Sequence, residues 1–345
     1  MRAIRFHGAG DVRLDDVPAP PAPGPGQVLL KVATAGICGS DGLEYSRGPV
    51  LIRHVGPITL GHEFAGEVVA AGENVDLQVG TLVACGAGMS CGTCPPCTQG
   101  RTNLCTTYAT IGFHADGALA EHVLAPAAIC FEAQGLTADA AALAQPMAIA
   151  VHAARRGRVT AGDVVLIVGA GGIGSFLTFA AASAGATVLV ADTDPRRLGI
   201  ATALGAARTG ESIDRALAGE AADVTFEASG NAQALAQAIA RAPRGGRIVA
   251  VGVQKAPPPV DMARVTLDEL ELIGTVAHVA RDDVPEALRL LALREQGWAD
   301  VAPEALPLEL VIEQGIRPLA EGASTRVKTL IDPALTAPRT TTWET

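Results

Sequence analysis

Between residues 164 and 275 the chain repeats one pattern: a short apolar run rich in β-branched residues, a turn, and a longer stretch with helical spacing. Val164–Val168, Ala186–Ala191, Asp223–Glu227, Arg247–Val251 and Glu271–Thr275 read as strands. Strands that are apolar on both faces suit a parallel sheet covered on both sides, and their alternation with helices predicts a doubly wound α/β domain. The stretch from Val164 to Ala191 holds no charged residue and no histidine, and its length would span a bilayer. Glycines at 169, 171, 172, 174 and 185 divide it instead into strand, helix and strand. Residues 1 to about 147 have a different texture. Short strands are broken by Gly and Pro, with a Pro-rich stretch from Pro18 to Pro23, which predicts an antiparallel, barrel-like β domain. A helix from about Met147 to Arg156 crosses over. From about Arg281 the chain returns to the first domain, with a helix over Val284–Leu293 and a closing strand over Arg326–Ile331. The expected division is 1–147, 148–280 and 281–345.

Composition narrows the function classes. A chain of 345 residues with 49% hydrophobic and 18% charged residues can bury two cores. Its formal charge of −10, the lack of a basic run and an aromatic content of 3% argue against a nucleic-acid partner and against an anionic membrane surface. The opening residues lack the long apolar block of a secretory signal, so the expected location is cytoplasmic.

Seven cysteines, an odd number, argue against a disulfide framework. Four of them form Cys91-x2-Cys94-x2-Cys97-x7-Cys105 in a loop rich in Gly, Pro, Thr and Ser. Two-residue gaps let a tight turn point successive thiolates inward, and the longer gap lets the chain wrap back, which suits a closed tetrahedral zinc site. An iron–sulfur cluster also takes four cysteines, but its bacterial run uses short gaps followed by Pro. Cys38, within Gly36-Ile37-Cys38-Gly39-Ser40-Asp41, and the pair His62–Glu63 offer sulfur, nitrogen and oxygen ligands. Three mixed ligands with an open corner are what a catalytic zinc requires. Singly, each has a plainer reading as a buried thiol, a hydrogen-bonded histidine or a solvated acid.

The run Gly169-Ala170-Gly171-Gly172-Ile173-Gly174 has a strand before it and a helix after it, with Asp192 ending the next strand. In that setting G-x-G-x-x-G is a dinucleotide fingerprint: a tight turn at Gly169, close backbone approach at Gly171, and helix–sheet packing at Gly174. The helix start, with Gly172 and Ile173, would face the phosphates with unpaired N–H groups. Asp192 would accept hydrogen bonds from the adenosine ribose hydroxyls and repel a 2′-phosphate, favouring NAD over NADP. Arg196 and Arg197 keep the NADP option open. Gly230, Gly252 and Thr275, at or just past the ends of later strands, are further candidates for cofactor contact, with Arg197 beside Asp192.

These motifs together, with Gly61-His62-Glu63-x2-Gly66-x5-Gly72-x2-Val75, resemble the zinc-dependent medium-chain alcohol dehydrogenases, in order and spacing along nearly the whole chain. Glu44-Tyr45-x2-Gly48-Pro49, Ile58–Phe64 and Gly274–His278 resemble the butanediol and sorbitol (polyol) dehydrogenase branch. The resemblance implies a GroES-like β-rich catalytic domain plus a Rossmann domain, two zinc ions per chain and a homodimer or homotetramer. It implies NAD-linked, reversible oxidation of a secondary alcohol or vicinal diol to a ketone. A dehydrogenase of a sugar or specialised biosynthetic alcohol, a zinc- and NAD-binding protein without turnover, and a purely structural zinc protein are the alternatives. Within the resemblance, Cys38, His62 and Glu63 hold the catalytic zinc, Cys91, Cys94, Cys97 and Cys105 the structural zinc, and Ser40 takes the alcohol proton. Two positions depart from the branch. Leu43 stands where a proton-passing His is common, which leaves the nicotinamide ribose hydroxyl, Glu44 or water as the exit. Gln145 stands where a zinc-facing Glu is common, so it is either a neutral candidate ligand or a hydrogen-bonded helix-start residue, and the site is one negative charge poorer if Glu63 coordinates.

Overall fold

The structure, a computed structural model, describes residues 1–53, 56–254 and 256–344. The chain divides into two compact units, Met1–Ala148 with His278–Thr345, and Ile149–Ala277.

In the first unit an eight-stranded sheet is built around the long strand Gln27–Ile37, which pairs antiparallel with Glu63–Ala71, with His122–Pro126 and with Thr329–Ile331. A three-stranded sheet carries Asp11–Asp16, Arg2–Gly8 and Ile58–Thr59. Alternation of apolar and polar residues along Gln27–Ile37 turns Val28, Leu30 and Val32 into a shared core with Phe64, Val68 and Val83. One pairing in this sheet, Glu304–Leu306 with Thr329–Ile331, is parallel.

Three strand ends bring the chemistry together. Gly36 faces Glu63 in the register of the first pair, and Thr329 faces Ile37 in the other, so Lys328 and Cys38 lie at the same end of the sheet. The Gly36–Glu63 register explains a glycine: a Cβ at Gly36 would lie 2.6 Å from Glu63 Oε2. Any side chain there would displace the carboxylate. The closing strand is shorter than its apolar pattern suggests, because it begins only at Thr329. Just before it the backbone leaves the ladder, the Lys328 N–H donating to the Val301 carbonyl at 2.9 Å, while the Lys328 side chain turns to the buried carboxylate of Glu63.

The second unit is a six-stranded, wholly parallel sheet in the order Arg208–Gly210, Thr187–Ala191, Val164–Val168, Val224–Glu227, Arg247–Ala250, Glu271–Gly274. Chain order reverses between Val164–Val168 and Val224–Glu227, the switch point at which open α/β sheets bind ligands. Val165, Ile167, Val188, Val190, Val224 and Phe226 are fully buried, which accounts for the continuous apolar runs.

Candidate metal centres and nucleotide site

Cys38 closes the strand Gln27–Ile37 and caps the helix Gly39–Arg47. Asp41, three residues into the turn, is fully buried, and its Oδ2 accepts the Cys38 N–H at 2.8 Å. Its other oxygen lies 3.7 Å from His62 Nδ1. Asp41 thus fixes both the backbone of one candidate ligand and the ring of the next. Phe113 packs on that ring with centroids 4.9 Å apart, and Ser40 Oγ is 3.4 Å from His62 Nε2. One ligand atom each from Cys38, His62 and Glu63 lies within 4.8 Å of the others.

The donor atoms of this cluster are incompletely satisfied. Glu63 pairs with the buried Lys328, whose Nζ also donates to the Ile37 carbonyl at 3.1 Å. Yet neither Glu63 oxygen accepts a well-directed hydrogen bond, and His62 Nδ1 and Gln145 Oε1 are buried without one. Buried polar atoms ordinarily find partners. Sulfur, imidazole and carboxylate groups left in this state fit a zinc ion, the borderline-soft cation that accepts all three. Lys328 was not legible as a site residue, since a lysine at the head of a short apolar strand reads as an edge charge. Glu44 moves the other way. It is fully buried, and its carboxylate accepts the N–H groups of Val50 and Leu51. A carboxylate committed to shaping a loop is a poor proton exit.

Electrostatics sets how a metal enters. Burial alone would depress His62, but the negative side chains of Asp41 and Cys38 outweigh it and push the imidazole up to about 9. Burial likewise opposes the Lys328 charge, and Glu63, then Cys38, raise it above the usual lysine value. In the zinc-free protein the His62 proton stabilises the fold fully below about 6.5, its ordinary value, and that contribution disappears as pH rises through about 9. A metal must displace this proton. Loss of the His62 proton alone is therefore expected to raise zinc affinity at this cluster by at least about tenfold per pH unit between pH 7 and 9. Chelator competition across that range measures it, and a flat affinity would show that His62 does not take part.

The four-Cys loop is a second cluster, with ligand atoms from Cys91, Cys94, Cys97 and Cys105 all within 4.8 Å of one another. Cys94 Sγ stands 3.4 Å from Cys97 Sγ, and Cys105 Sγ stands 3.5 Å from Cys91 Sγ. Backbone N–H groups donate to the sulfurs: Cys94 to Cys91 at 3.4 Å, and Cys91 and Thr107 to Cys105 at 3.3 and 3.4 Å. N–H donors favour thiolate over thiol, and those of Thr93 and Cys94 bring Cys91 down to about 5. Four converging sulfurs in a loop with little apolar packing suit a closed metal site.

In the second unit Gly169 takes φ +98° at the end of Val164–Val168, and the helix Gly172–Ser183 starts from Gly171 with no side chain capping it. A Cβ at Gly174 would lie 1.8 Å from the Gly169 carbonyl oxygen, so helix and turn meet only because glycine is there. At Gly171 a Cβ would have no neighbour within 4 Å. An uncapped helix start with open space over its backbone is a fitting cradle for a pyrophosphate. Asp192 accepts the N–H groups of Ala170 at 2.7 Å and Asp194 at 2.8 Å, so it ties the second strand end to the Gly-rich turn. Arg197 reaches to 3.9 Å from Asp192 and 3.8 Å from Asp194. Gly230 and Gly252 pack on one another, since a Cβ at Gly252 would lie 2.2 Å from Gly230 N. Thr275 follows the edge strand Glu271–Gly274, and its hydroxyl is buried without a hydrogen bond.

A parallel sheet with this turn, joined in one chain to two metal-ligand clusters, defines a class: oxidoreductases that use a dinucleotide and a metal. Residues 24–135 match the alcohol dehydrogenase GroES-like domain and residues 172–293 the zinc-binding dehydrogenase domain. The chain belongs to the zinc-dependent medium-chain alcohol dehydrogenase family. It is 38% identical to L-galactonate-5-dehydrogenase of Escherichia coli strain K12 over 244 residues, 68% of this chain and 71% of that protein. Sorbitol dehydrogenase of Bacillus subtilis strain 168 is 32% identical over 306 residues, 85% of this chain and 86% of the relative. The crystal structure of 2R,3R-butanediol dehydrogenase from Bacillus subtilis superposes with a TM-score of 0.87 at 30% identity, covering 96% of this chain and 99% of that one. The protein is thus a polyol- and alcohol-dehydrogenase-type oxidoreductase. No helix among the described residues is long and apolar enough to cross a membrane.

Proposed function

We propose that this chain catalyses the reversible, NAD-linked oxidation of a secondary alcohol or vicinal diol to the ketone. The observation that carries the reading is the Cys38–His62–Glu63 cluster, buried and short of hydrogen-bond partners, in a chain that also holds the Gly169–Gly174 cradle. Relatives named for sorbitol, butanediol and galactonate dehydrogenation support a polyhydroxylated or diol substrate.

Cys38, His62 and Glu63 would hold the catalytic zinc, and Gln145 would serve through its neutral amide oxygen. When bound there, zinc supplies Lewis acidity toward a hydroxyl or carbonyl oxygen. Cys91, Cys94, Cys97 and Cys105 would hold a second, structural ion. Asp41 keeps His62 and the Cys38 backbone in place. Ser40 Oγ, beside His62 Nε2, takes the hydroxyl proton of the substrate. The next hop does not use the Leu43 side chain, which carries no proton, or Glu44, whose oxygens are occupied. Ser40 would therefore pass the proton on to water. The Gly-rich turn would hold the pyrophosphate of the nucleotide and Asp192 its adenosine ribose. The carboxylate of Asp192 favours NAD over NADP, with Arg197 partly neutralised by it. The strand Glu271–Gly274, with Leu272 exposed, stands at the sheet edge among the described residues, where a symmetric subunit contact would form.

The test is a panel of secondary alcohols, vicinal diols, polyols and sugar acids with zinc-loaded protein, reading NADH formation. Turnover of at least one diol or polyol is expected, with NAD⁺ preferred over NADP⁺. Zinc-loaded protein that binds NADH yet transfers no hydride to or from any member would establish the binding-protein alternative.

A further inference from the structure

We propose that Glu227 is a positioning residue of the dinucleotide site, whose buried carboxylate latches together two cofactor-side loops, one of which packs on the Gly-rich turn. The inference rests on the nucleotide reading given above and adds a residue to it.

Glu227 ends the central strand next to the switch point, and it is fully buried. Across the sheet its row reads Gly210, Ala191, Val168, Glu227, Ala250 and Gly274. It is the one polar side chain in that row. No Lys or Arg pairs with it among the described residues. A buried carboxylate without a cation is costly unless N–H and O–H donors satisfy it, and all its donors here come from loops. Oε1 accepts the Ser229 N–H at 2.7 Å and the Ser229 hydroxyl, and Oε2 accepts Gln254 Nε2 at 2.6 Å. The same Gln254 nitrogen donates to the Gly252 carbonyl at 3.2 Å. Glu227 also takes the N–H groups of Val251 and Gly252 on its main-chain oxygen, each at 2.9 Å.

The Ser229 loop touches the cradle, and the Gly252–Gln254 loop packs on the Ser229 loop in turn. A Cβ at Gly169 would lie 2.9 Å from Ser229 N, and one at Gly230 would lie 2.7 Å from the Val253 carbonyl oxygen. Three strand-to-helix connections at the C-terminal sheet edge are therefore packed backbone on backbone, and one carboxylate joins two of them. Val253, between two residues fixed by this latch, is 87% exposed. An apolar side chain held out from a braced loop suits contact with a flat ring, and bracing it in advance removes the ordering penalty from binding.

The experiment compares NADH affinity, by fluorescence titration of the zinc-loaded full chain, for wild type, Gln254→Leu, Glu227→Ala and Glu227→Gln. Gln254 is half-buried on a loop, so Gln254→Leu removes the latch donor without emptying the core. Its Kd for NADH is expected to rise about tenfold, the scale of one hydrogen bond to a charged group. The KM for NAD⁺ should rise with it, kcat at saturation staying within about twofold, because the braced loops act on binding. Glu227→Ala should lose at least as much. Glu227→Gln should stay within about threefold of wild type, since Gln254 Oε1 is buried without a partner and can accept from the new amide. Wild-type affinity in Gln254→Leu, or equal losses in Glu227→Gln and Glu227→Ala, would overturn the latch. If the wild-type chain itself fails to bind NADH or NADPH, the nucleotide reading falls and this inference falls with it.

Discussion

Replacing His62 by Ala is expected to cut kcat/KM by about a thousandfold or more and, on the proposed assignment of one ion to each cluster, to lower the bound zinc from two equivalents per chain to one. The ring stands at the centre of its cluster, with Ser40 at 3.4 Å on one side and Asp41 at 3.7 Å on the other. Removing it leaves Cys38 and Glu63, too few ligands for a tightly held ion, and it also leaves Lys328 free to neutralise Glu63 entirely. The second equivalent should be indifferent, because its four sulfurs belong to the Cys91–Cys105 loop. Cys97→Ser supplies the contrast: it should lose the other equivalent and lower the thermal midpoint, since metal binding there is folding free energy for a loop with little core of its own. Elemental analysis and steady-state NADH formation on both variants separate the two roles. A His62→Ala protein that keeps two zinc equivalents and half its turnover would show that the cluster is not the reactive centre.

The second unit was legible because its signals are local. Val164–Val168 and its companions are continuous β-branched runs, and the glycine spacing after the first of them carries its own stereochemistry at Gly169 and Gly174. The convergence of the four cysteines was legible for the same reason, all four lying within fifteen residues. The first centre was legible only in part. Cys38, His62 and Glu63 are marked by glycines, and the Gly36–Glu63 contact explains one of those glycines as a demand of register. Lys328 carries no such mark. It arrives from the far end of the chain through the Thr329–Ile37 pairing, a long-range register that no short window records. Asp41 and Glu44 show a related limit. Both sit on the helix Gly39–Arg47 and both are fully buried. Only their partners, His62 and Cys38 for one and the Val50–Leu51 backbone for the other, separate a residue that orients the site from one that shapes a loop. Glu227 is the same case in the second unit, an acid at a strand end whose Ser229 and Gln254 partners lie in two different loops.

Lys328 gives the largest expected effect on stability. Its ammonium and the Glu63 carboxylate are both shut off from water, with side-chain exposures of 4% and 0%. Substituting Met for Lys328 leaves the carboxylate buried and unpaired, and removal of one partner of a buried ion pair typically costs about 3–5 kcal/mol. That loss is expected in full for the zinc-free protein, measured by urea unfolding. In the zinc-loaded protein it should shrink, because a dication neutralises Glu63 in place of the ammonium, and zinc should bind correspondingly tighter than in wild type. The paired change Glu63→Gln with Lys328→Met removes both charges and should recover the zinc-free stability to within about 1–2 kcal/mol of wild type, far from the sum of the single effects. These signs follow from one arrangement: Lys328 pairs with the carboxylate that a metal at this cluster would also take, so the lysine would keep the empty site folded and yield its place to the ion. Equal destabilisation of Lys328→Met with and without zinc would mean that Glu63 never exchanges the ammonium for the metal and serves only to hold Lys328 at the strand end.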